Sequence, residues 1–296
     1  MNKIPVGKTI RFAYAFTFGD IGTIIGLIWI PAVLNAVVSF LALRGYDASA
    51  SASGGVPPGF GLLMLSIIFG ALIFAVIAVA VTQQALGLRE GSTLAHFSLG
   101  NMELRVLGGF FGLFFLIVLF AVALAMASLL IALLAGMLGG KADGAAAGAL
   151  ASIVTLVGLG AIFYAGVRLS FLFVPSAVVD GEFGLTRSWQ LTRGNFWRIV
   201  IVGLATVLPV FLLVFAAQIA VLGPEYFESI VAMMKDQAHA AKYTAEQAQL
   251  TSAKMPLLLG LGFVITPITN GLVFAPAAFA YRVLSGKGEV ASAGSQ

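Results

Sequence analysis

Residues 168–198 read RLSFLFVPSAVVDGEFGLTRSWQLTRGNFWR and lie between two long apolar runs. The stretch contains four of the chain's 16 basic residues and two of its three tryptophans, together with a proline and several turn-forming residues. Basic residues and tryptophan concentrate where membrane helices leave the hydrocarbon core. We therefore interpret this stretch as the cytoplasmic hinge between two helices of a multi-spanning membrane protein.

The composition of the whole chain agrees with this interpretation. Hydrophobic residues make up 60% of the 296 positions, charged residues make up only 9%, and the mean hydropathy is +1.05. Ordinary soluble domains contain about 25% charged residues. A transmembrane β-barrel would show short segments of alternating polarity, whereas the apolar runs here are long and do not alternate. The sequence predicts an all-α integral membrane protein with one transmembrane domain over residues 1–296.

The apolar runs predict a bundle of about six transmembrane helices. The polar segment between the fifth and sixth runs begins with Pro224, which suits the first turn of a helix, and its apolar residues recur at helical spacing. It predicts an amphipathic extracytoplasmic helix over about 224–249. The spans are expected at about 18–43, 60–88, 106–138, 149–175, 196–222 and 255–284.

The distribution of basic residues predicts the orientation of the bundle. Six spans put both termini on one side, and eleven of the 16 basic residues fall on that side of the membrane. Cytoplasmic loops carry the excess of Lys and Arg in membrane proteins. We expect both termini in the cytoplasm.

Residues that carry enzyme chemistry are sparse. Cys is absent, which excludes disulfides, zinc–thiolate sites and thiol nucleophiles. Neither His96 nor His239 lies in an HExxH or HxxxH pattern, and the chain has no GxSxG motif. The sequence predicts a non-catalytic protein without a cofactor or a metal. The net charge of +4 comes from basic residues scattered at span boundaries, so membrane topology explains it better than nucleic-acid binding.

Two ionisable residues, Asp20 and Arg168, fall within predicted spans near the cytoplasmic side. Each such charge costs roughly 2.5–3.5 kcal/mol at the centre of a span, so it calls for a functional hypothesis. An ion pair between Asp20 and Arg168 is one alternative; a snorkelling arginine and an interfacial aspartate without partners are the other. The first alternative predicts an intramembrane polar cluster formed by Asp20, Gln83, Gln84, Arg168 and Ser170.

Prolines near the middle of three spans, Pro31, Pro209 and Pro267, have two interpretations. Broken helices in transporters expose backbone carbonyls that line a site, and five polar side chains of the spans are available to join them. Proline is also simply common in membrane helices, where neighbouring groups satisfy the freed carbonyls. We favour the second interpretation because no span carries an acidic residue near its centre. The five polar side chains are those of Asn35, Gln218, Thr266, Thr269 and Asn270.

The loop that follows Pro175 supplies candidate interface residues. Its arginines are within reach of phosphates of lipid headgroups, and its tryptophans suit the membrane interface. The alternative is a loop that these residues anchor without binding any ligand. The candidate anchors are Arg187, Trp189, Arg193, Trp197 and Arg198.

The same stretch resembles a known family. The pattern Arg168-Leu-Ser170, Pro175, Val179-Asp180-Gly181 and Ser188-Trp189-Gln-Leu-Thr192-Arg-Gly194-Asn195-Phe-Trp197-Arg198 is similar to the cytoplasmic loop of the YciC-like group of uncharacterised bacterial inner-membrane proteins. That group is similar in turn to the membrane domain of some glycerophosphoryl diester phosphodiesterases. The resemblance implies an all-helical, multi-pass protein of the bacterial inner membrane. It implies no catalytic residues, because the phosphodiesterase chemistry belongs to a soluble barrel domain that we do not find in this chain.

Two functions of different class follow from these observations. The first is a non-catalytic scaffold or auxiliary subunit that contacts membrane lipids or a partner membrane protein. The second is a transporter of a small solute or lipid, with a cytoplasm-facing polar cavity around Arg168. A continuous polar cavity beside Arg168 would favour transport, and a dry bundle with lateral apolar surfaces would favour the scaffold.

Overall fold

The computed structural model describes residues 2–45, 56, 58–89, 97–138, 141–235, 243, 247, 250–251 and 253–286, with the side chains of residues 135–147 left out. This part of the chain is all-helical and contains no strand. Its helices are α1 (Val6–Gly19), α2 (Ile21–Arg44), α3 (Phe60–Leu86), α4 (Asn101–Leu138), α5 (Lys141–Ser170), α6 (Phe173–Asp180), α7 (Leu185–Leu191), α8 (Phe196–Leu222), α9 (Pro224–Lys235) and α10 (Met255–Ser285).

The predicted all-α class is confirmed over the described residues, and six helical segments are long and apolar enough to cross a membrane. They are α2, α3, α4, α5 continued by α6, α8 and α10. The 27 residues of α3 or of α8 extend about 40 Å at 1.5 Å per residue, more than a hydrocarbon core of about 30 Å. The cytoplasmic position of the termini stays a prediction.

The first span begins later than predicted, because a separate helix precedes it. Residues 18–19 belong to α1, and Asp20 ends that helix by donating its backbone N–H to the carbonyl of Phe16. The buried residues of α1 lie on one helical face, which packs against α8 and α10. The N-terminal segment is therefore part of the bundle. The buried residues are Thr9, Ala13, Phe16 and Thr17.

The fourth span is also interrupted where the sequence predicted one helix over 149–175. α5 ends at Ser170, and α6 begins at Phe173. Pro175 does not stop the helix: it lies in the first turn of α6, where a missing N–H breaks no helical hydrogen bond. The residues from Phe173 to Val178 are all buried, so α6 fills the interior of the bundle.

The buried core lies at the end of the bundle where both chain termini meet. The side-chain amide of Asn2 donates to the carbonyl of Val283 at 3.3 Å, which places the start and the end of the described chain together. α1, α3, α6 and α10 pack around this end, and Phe173 and Tyr281 are its largest fully buried side chains. We call it the basic end, because Arg105, Arg168, Arg198 and Arg282 belong to it.

α4 and α5 form a hairpin, the α4–α5 hairpin, that stands apart from this core. Its two helices pack on each other, with a hydrogen bond of 2.9 Å between the hydroxyls of Ser128 and Thr155. No residue is buried over residues 111–134 of α4 or over residues 148–167 of α5. Over these residues the two helices contact chiefly each other.

The predicted amphipathic helix over 224–249 is described only in part. α9 covers Pro224–Lys235 and packs against α8, where the rings of Phe227 and Phe215 lie 6.4 Å apart. The amide of Gln247 donates to the hydroxyl of Ser229 at 3.0 Å. Residues 236–242, 244–246 and 248–249 lie outside the described residues, so the length and the amphipathic character of this helix stay predictions.

Candidate functional site

Arg168 lies in the last turn of α5 and is buried, with 5% of its surface exposed. Its Nε donates to the hydroxyl of Thr192 at 3.3 Å, one Nη donates to the hydroxyl of Tyr164 at 3.0 Å, and the other Nη donates to the carbonyl of Trp189. The guanidinium carbon lies 3.8 Å from the centre of one ring of Trp189 and 5.4 Å from that of Tyr164. Backbone, hydroxyl and aromatic groups therefore enclose the cation.

Ser188 of α7 satisfies the backbone where α5 breaks. The hydroxyl of Ser188 donates to the carbonyl of Arg168 at 2.7 Å and accepts the N–H of Leu172 at 3.2 Å. A helix end that is buried without such partners is costly, because its last carbonyls have no intrahelical donor. α7 thus replaces the missing helical bonds of α5. We call this group of Tyr164, Arg168, Ser188, Trp189 and Thr192 the Arg168 clamp.

The chemistry of the clamp is that of a fixed structural cation. None of the hydrogen-bond partners that the structure gives Arg168 is a carboxylate, and an arginine remains protonated in proteins. Its positive charge is stabilised by the carbonyl dipole of Trp189 and by the negative faces of two aromatic rings. The clamp joins α5 to α7. Because the ring of Trp189 covers the guanidinium, the clamp offers no open surface to a ligand.

The structure corrects the predicted polar cluster around Arg168. Asp20 is exposed between α1 and α2 and forms no ion pair with Arg168. Ser170 is exposed, and its hydroxyl does not take part in the clamp. Gln83 and Gln84 lie in the last turn of α3, where Gln83 donates to the sulfur of Met102 at 3.3 Å. The clamp therefore brings Arg168 together with α7 rather than with the four predicted partners.

The five predicted interface anchors divide into two groups. Arg187 lies 3.6 Å from the carboxylate of Asp180, Trp189 covers Arg168, and Arg198 donates to the carbonyl of Ile4 at 2.7 Å. These three residues contact the protein itself. Arg193 is exposed, and Trp197 is exposed over 72% of its surface. Arg193 and Trp197 combine exposure with the chemistry expected of a headgroup contact, and Trp189 keeps 38% of its surface exposed beside its contact with Arg168.

Asn195 is a positioning residue whose role the sequence did not indicate. It is 2% exposed, its side-chain oxygen accepts the N–H of Ile4 at 3.0 Å, and its amide donates to the carbonyl of Asn2 at 3.3 Å. The asparagine directly before α8 was recognised only as part of a motif. Its bonds to the N-terminal segment cross more than 190 positions of sequence, and no local pattern predicts such a contact.

One arginine of the loop after α3 is affected by its surroundings. Burial lowers the pKa of the Arg89 guanidinium below its ordinary value, because an apolar surrounding disfavours the charged form.

A cavity of about 330 Å³ lies elsewhere, between α2, α3 and α10. Its lining includes Asn35, Thr266 and Asn270, three of the five polar residues named beside the midspan prolines, and it does not include Arg168. Over the described residues, no group of three His, Asp or Glu side chains is placed to hold a metal ion. This cavity is therefore not the cytoplasm-facing cavity that the sequence predicted around Arg168.

Comparisons with protein families, with curated proteins and with solved structures found no match. The YciC-like resemblance accordingly stays a prediction from the residues of the 168–198 stretch.

Proposed function

We propose that this protein is a non-catalytic, multi-spanning membrane protein that serves as a scaffold or auxiliary subunit, and that the α4–α5 hairpin is its contact surface for a partner membrane protein. One observation carries the proposal: the hairpin has no buried residue over residues 111–134 and 148–167. Only the base of the hairpin packs against the rest of the chain, so the surface of these residues is available to a second protein.

The surface of the hairpin also suits the way in which membrane helices associate. Apolar exposure alone is no driving force in a bilayer, because lipid tails are as apolar as leucine; close backbone approach at small residues is needed. A Cβ atom added at Gly148, Gly160 or Gly166 of α5 would meet no atom within 4 Å. A neighbouring helix has room to approach the backbone of α5 at these positions.

The alternative of transport through a cavity around Arg168 has less support. The guanidinium is held by three hydrogen bonds and covered by Trp189, and the cavity between α2, α3 and α10 lies away from it. A transport site requires a polar path to the substrate. The Arg168 clamp supplies a closed structural contact instead.

The membrane setting is part of the same proposal. We place the basic end on the cytoplasmic side of a bacterial inner membrane, in agreement with the excess of Lys and Arg on that side and with the family resemblance. The exposed Arg193 and Trp197 then lie where they can contact lipid phosphates and the interface. Lipids are the expected partner of the loop, and a protein is the expected partner of the hairpin.

The test is extraction of the full chain from its native membrane in a mild detergent, with quantitative mass spectrometry of the proteins that accompany it. The wild type is compared with Gly160→Phe on the hairpin and Gly203→Phe on α8. Both glycines face open space, so both variants are expected to fold. We expect a stoichiometric partner that Gly160→Phe loses and Gly203→Phe retains. No stoichiometric partner, or equal loss from both variants, would contradict the proposal.

A further inference from the structure

The cavity between α2, α3 and α10 is independent of the α4–α5 hairpin and of the Arg168 clamp. At about 330 Å³ it reaches the lower end of the range for small-molecule sites, about 300–1,000 Å³. Four of its lining residues carry uncharged polar side chains, and the others are apolar or glycine. The four are Asn35 and Ser39 on α2 and Thr266 and Asn270 on α10.

Hydrogen bonds within α10 leave unused acceptors on three residues that line this space. The amide nitrogen of Asn270 donates to the carbonyl of Thr266 at 2.8 Å, so its side-chain oxygen remains to accept. The hydroxyl hydrogen of Thr266 is used on the carbonyl of Gly262 at 2.6 Å, which leaves the lone pairs of that hydroxyl. Pro267 has no N–H, so the carbonyl of Phe263 in the cavity wall lacks its usual helical donor.

The wall formed by α2 supplies both kinds of polar group. Asn35 is half-buried and makes no side-chain hydrogen bond to the part of the chain that the structure describes. Its oxygen lies 3.2 Å from the position that a Cβ of Gly70 would take, so the glycine keeps space open beside it. Asn35 therefore offers one acceptor and two donor hydrogens to an occupant of the cavity.

The charge of the lining restricts the occupant. None of the lining residues is ionisable. A charged ligand would lose its hydration without a counter-charge, which is costly in an apolar setting. Hydrogen-bond acceptors outnumber donors, so a ligand with hydroxyl hydrogens matches them best. The rings of Phe74 and Phe263 cover the remaining, apolar part of an occupant.

We propose that this cavity binds an uncharged hydroxyl-bearing group, with its hydroxyls on Asn35, Thr266 and Asn270 and its carbon skeleton against Phe74 and Phe263. The same chemistry occurs in a free polyol such as glycerol and in the headgroup of a neutral lipid such as diacylglycerol. The proposal adds a ligand site that the scaffold function does not require.

The experiment uses the full chain in lipid nanodiscs with two probes: glycerol, followed by saturation-transfer NMR, and dioleoylglycerol, followed by native mass spectrometry. Thr266→Val and Thr269→Val form a matched pair. Both threonines donate to the carbonyl four residues earlier in α10, at 2.6 and 3.1 Å, but only Thr266 lines the cavity. Asn270→Leu removes the main acceptor, and Gly70→Ala fills the space beside Asn35 without touching a polar group of α10.

We expect one probe to bind, Thr266→Val, Asn270→Leu and Gly70→Ala each to weaken its binding about tenfold, and Thr269→Val to leave it unchanged. Binding of glycerol identifies a free polyol as the ligand, and binding of dioleoylglycerol alone identifies a neutral lipid. If Asn270→Leu fails to fold, the binding of the probe to Gly70→Ala tests the proposal instead. The proposal is overturned if neither probe binds, or if Thr269→Val weakens binding as much as the cavity variants do. These outcomes do not depend on whether the hairpin binds a partner.

Discussion

Arg168 shows how an arginine can lie buried without a carboxylate beside it. The three acceptors of its hydrogen bonds lie on α5, on α7 and on Thr192 directly after α7. Ser188 of α7 donates to the carbonyl of Arg168 itself, at the break after Ser170. Its role is to hold this break in place. The sequence identified Arg168 as unusual because of its position in a span, but the partner it suggested, Asp20, lies exposed elsewhere.

The first prediction concerns the charge of the clamp. Arg168→Gln should lower the free energy of unfolding by about 2–4 kcal/mol, because it leaves the carbonyl of Trp189 and the hydroxyl of Thr192 without their donor. Arg193→Gln, at an exposed position of the same loop, should change it by less than about 0.5 kcal/mol. Thermal unfolding in detergent measures both variants. Equal losses would show that Arg168 is no more than another basic residue of the loop.

The second prediction concerns two glycines that share a backbone conformation. Gly184 and Gly194 both have φ +74°, a region that costs other residues about 1–2 kcal/mol. A Cβ at Gly184 would clash with the carbonyl of Phe173 and the N–H of Ala177, whereas a Cβ at Gly194 would meet nothing within 4 Å.

Gly184→Ala should therefore destabilise the protein by about 3 kcal/mol or more, and Gly194→Ala by only about 1 kcal/mol. Denaturant unfolding, monitored by circular dichroism, compares the two. If the two substitutions lower the free energy of unfolding equally, the clash at position 184 has no effect. That result would contradict the close approach of α7 to α6.

At the scale of elements, hydropathy was sufficient to predict the spans but not their ends. Long apolar runs must cross the membrane as helices, since no water is present to bond the backbone. The break between α5 and α6 depends on contacts from a distant segment, those of Ser188 and Thr192. The helical spacing of Thr9, Ala13, Phe16 and Thr17 indicates α1 in the sequence. Two of these four buried residues are polar, so hydropathy alone does not reveal the helix.

The third prediction concerns the attachment of α1. Asn195 and Arg198 bond the backbone of residues 2–4, and Tyr14 donates to the carbonyl of Ala205 at 2.8 Å. Asn195→Leu should raise the hydrogen-exchange rate of residues 6–19 about tenfold while leaving α3 protected, because the N-terminal segment loses two bonds. Arg193→Leu is the control. Exchange that rises equally over α1 and α3 would indicate global destabilisation instead.

At the scale of the whole molecule, the sequence predicted the number of spans and the basic end, whereas it did not predict how unevenly the spans pack. α3 and α10 are central, and α6 fills the interior beside them, while α4 and α5 contact chiefly each other. All these helices are similarly apolar, because lipid and protein neighbours select the same residues. Hydropathy therefore cannot separate a lipid-facing span from a packed one. The sequence named Asn35, Thr266 and Asn270 beside the midspan prolines but could not show that they line one cavity, because α2 and α10 come together only in the folded bundle.

The fourth prediction concerns topology. The chain has no Cys, so a single introduced cysteine is labelled without background labelling of another thiol in the chain. Arg193 and Met234 are both exposed; Arg193 precedes the start of α8, and Met234 follows its end. A membrane-impermeant maleimide should label Met234→Cys in intact cells and Arg193→Cys only after the membrane is opened. Labelling from the same side would contradict a spanning α8, and the reverse pattern would contradict cytoplasmic termini.

The central claim, that the α4–α5 hairpin meets a partner protein, is tested most directly by photo-crosslinking in the native membrane. A photoreactive residue replaces Leu156 on α5 or Phe114 on α4, exposed over 73% and 66% of their surfaces, and Val264 on α10, exposed over 66%, is the matched control. The account predicts an adduct with one other membrane protein from Leu156 and Phe114, and adducts with lipid alone from Val264. Lipid adducts alone from all three positions, or an adduct with a second copy of this chain, would contradict it.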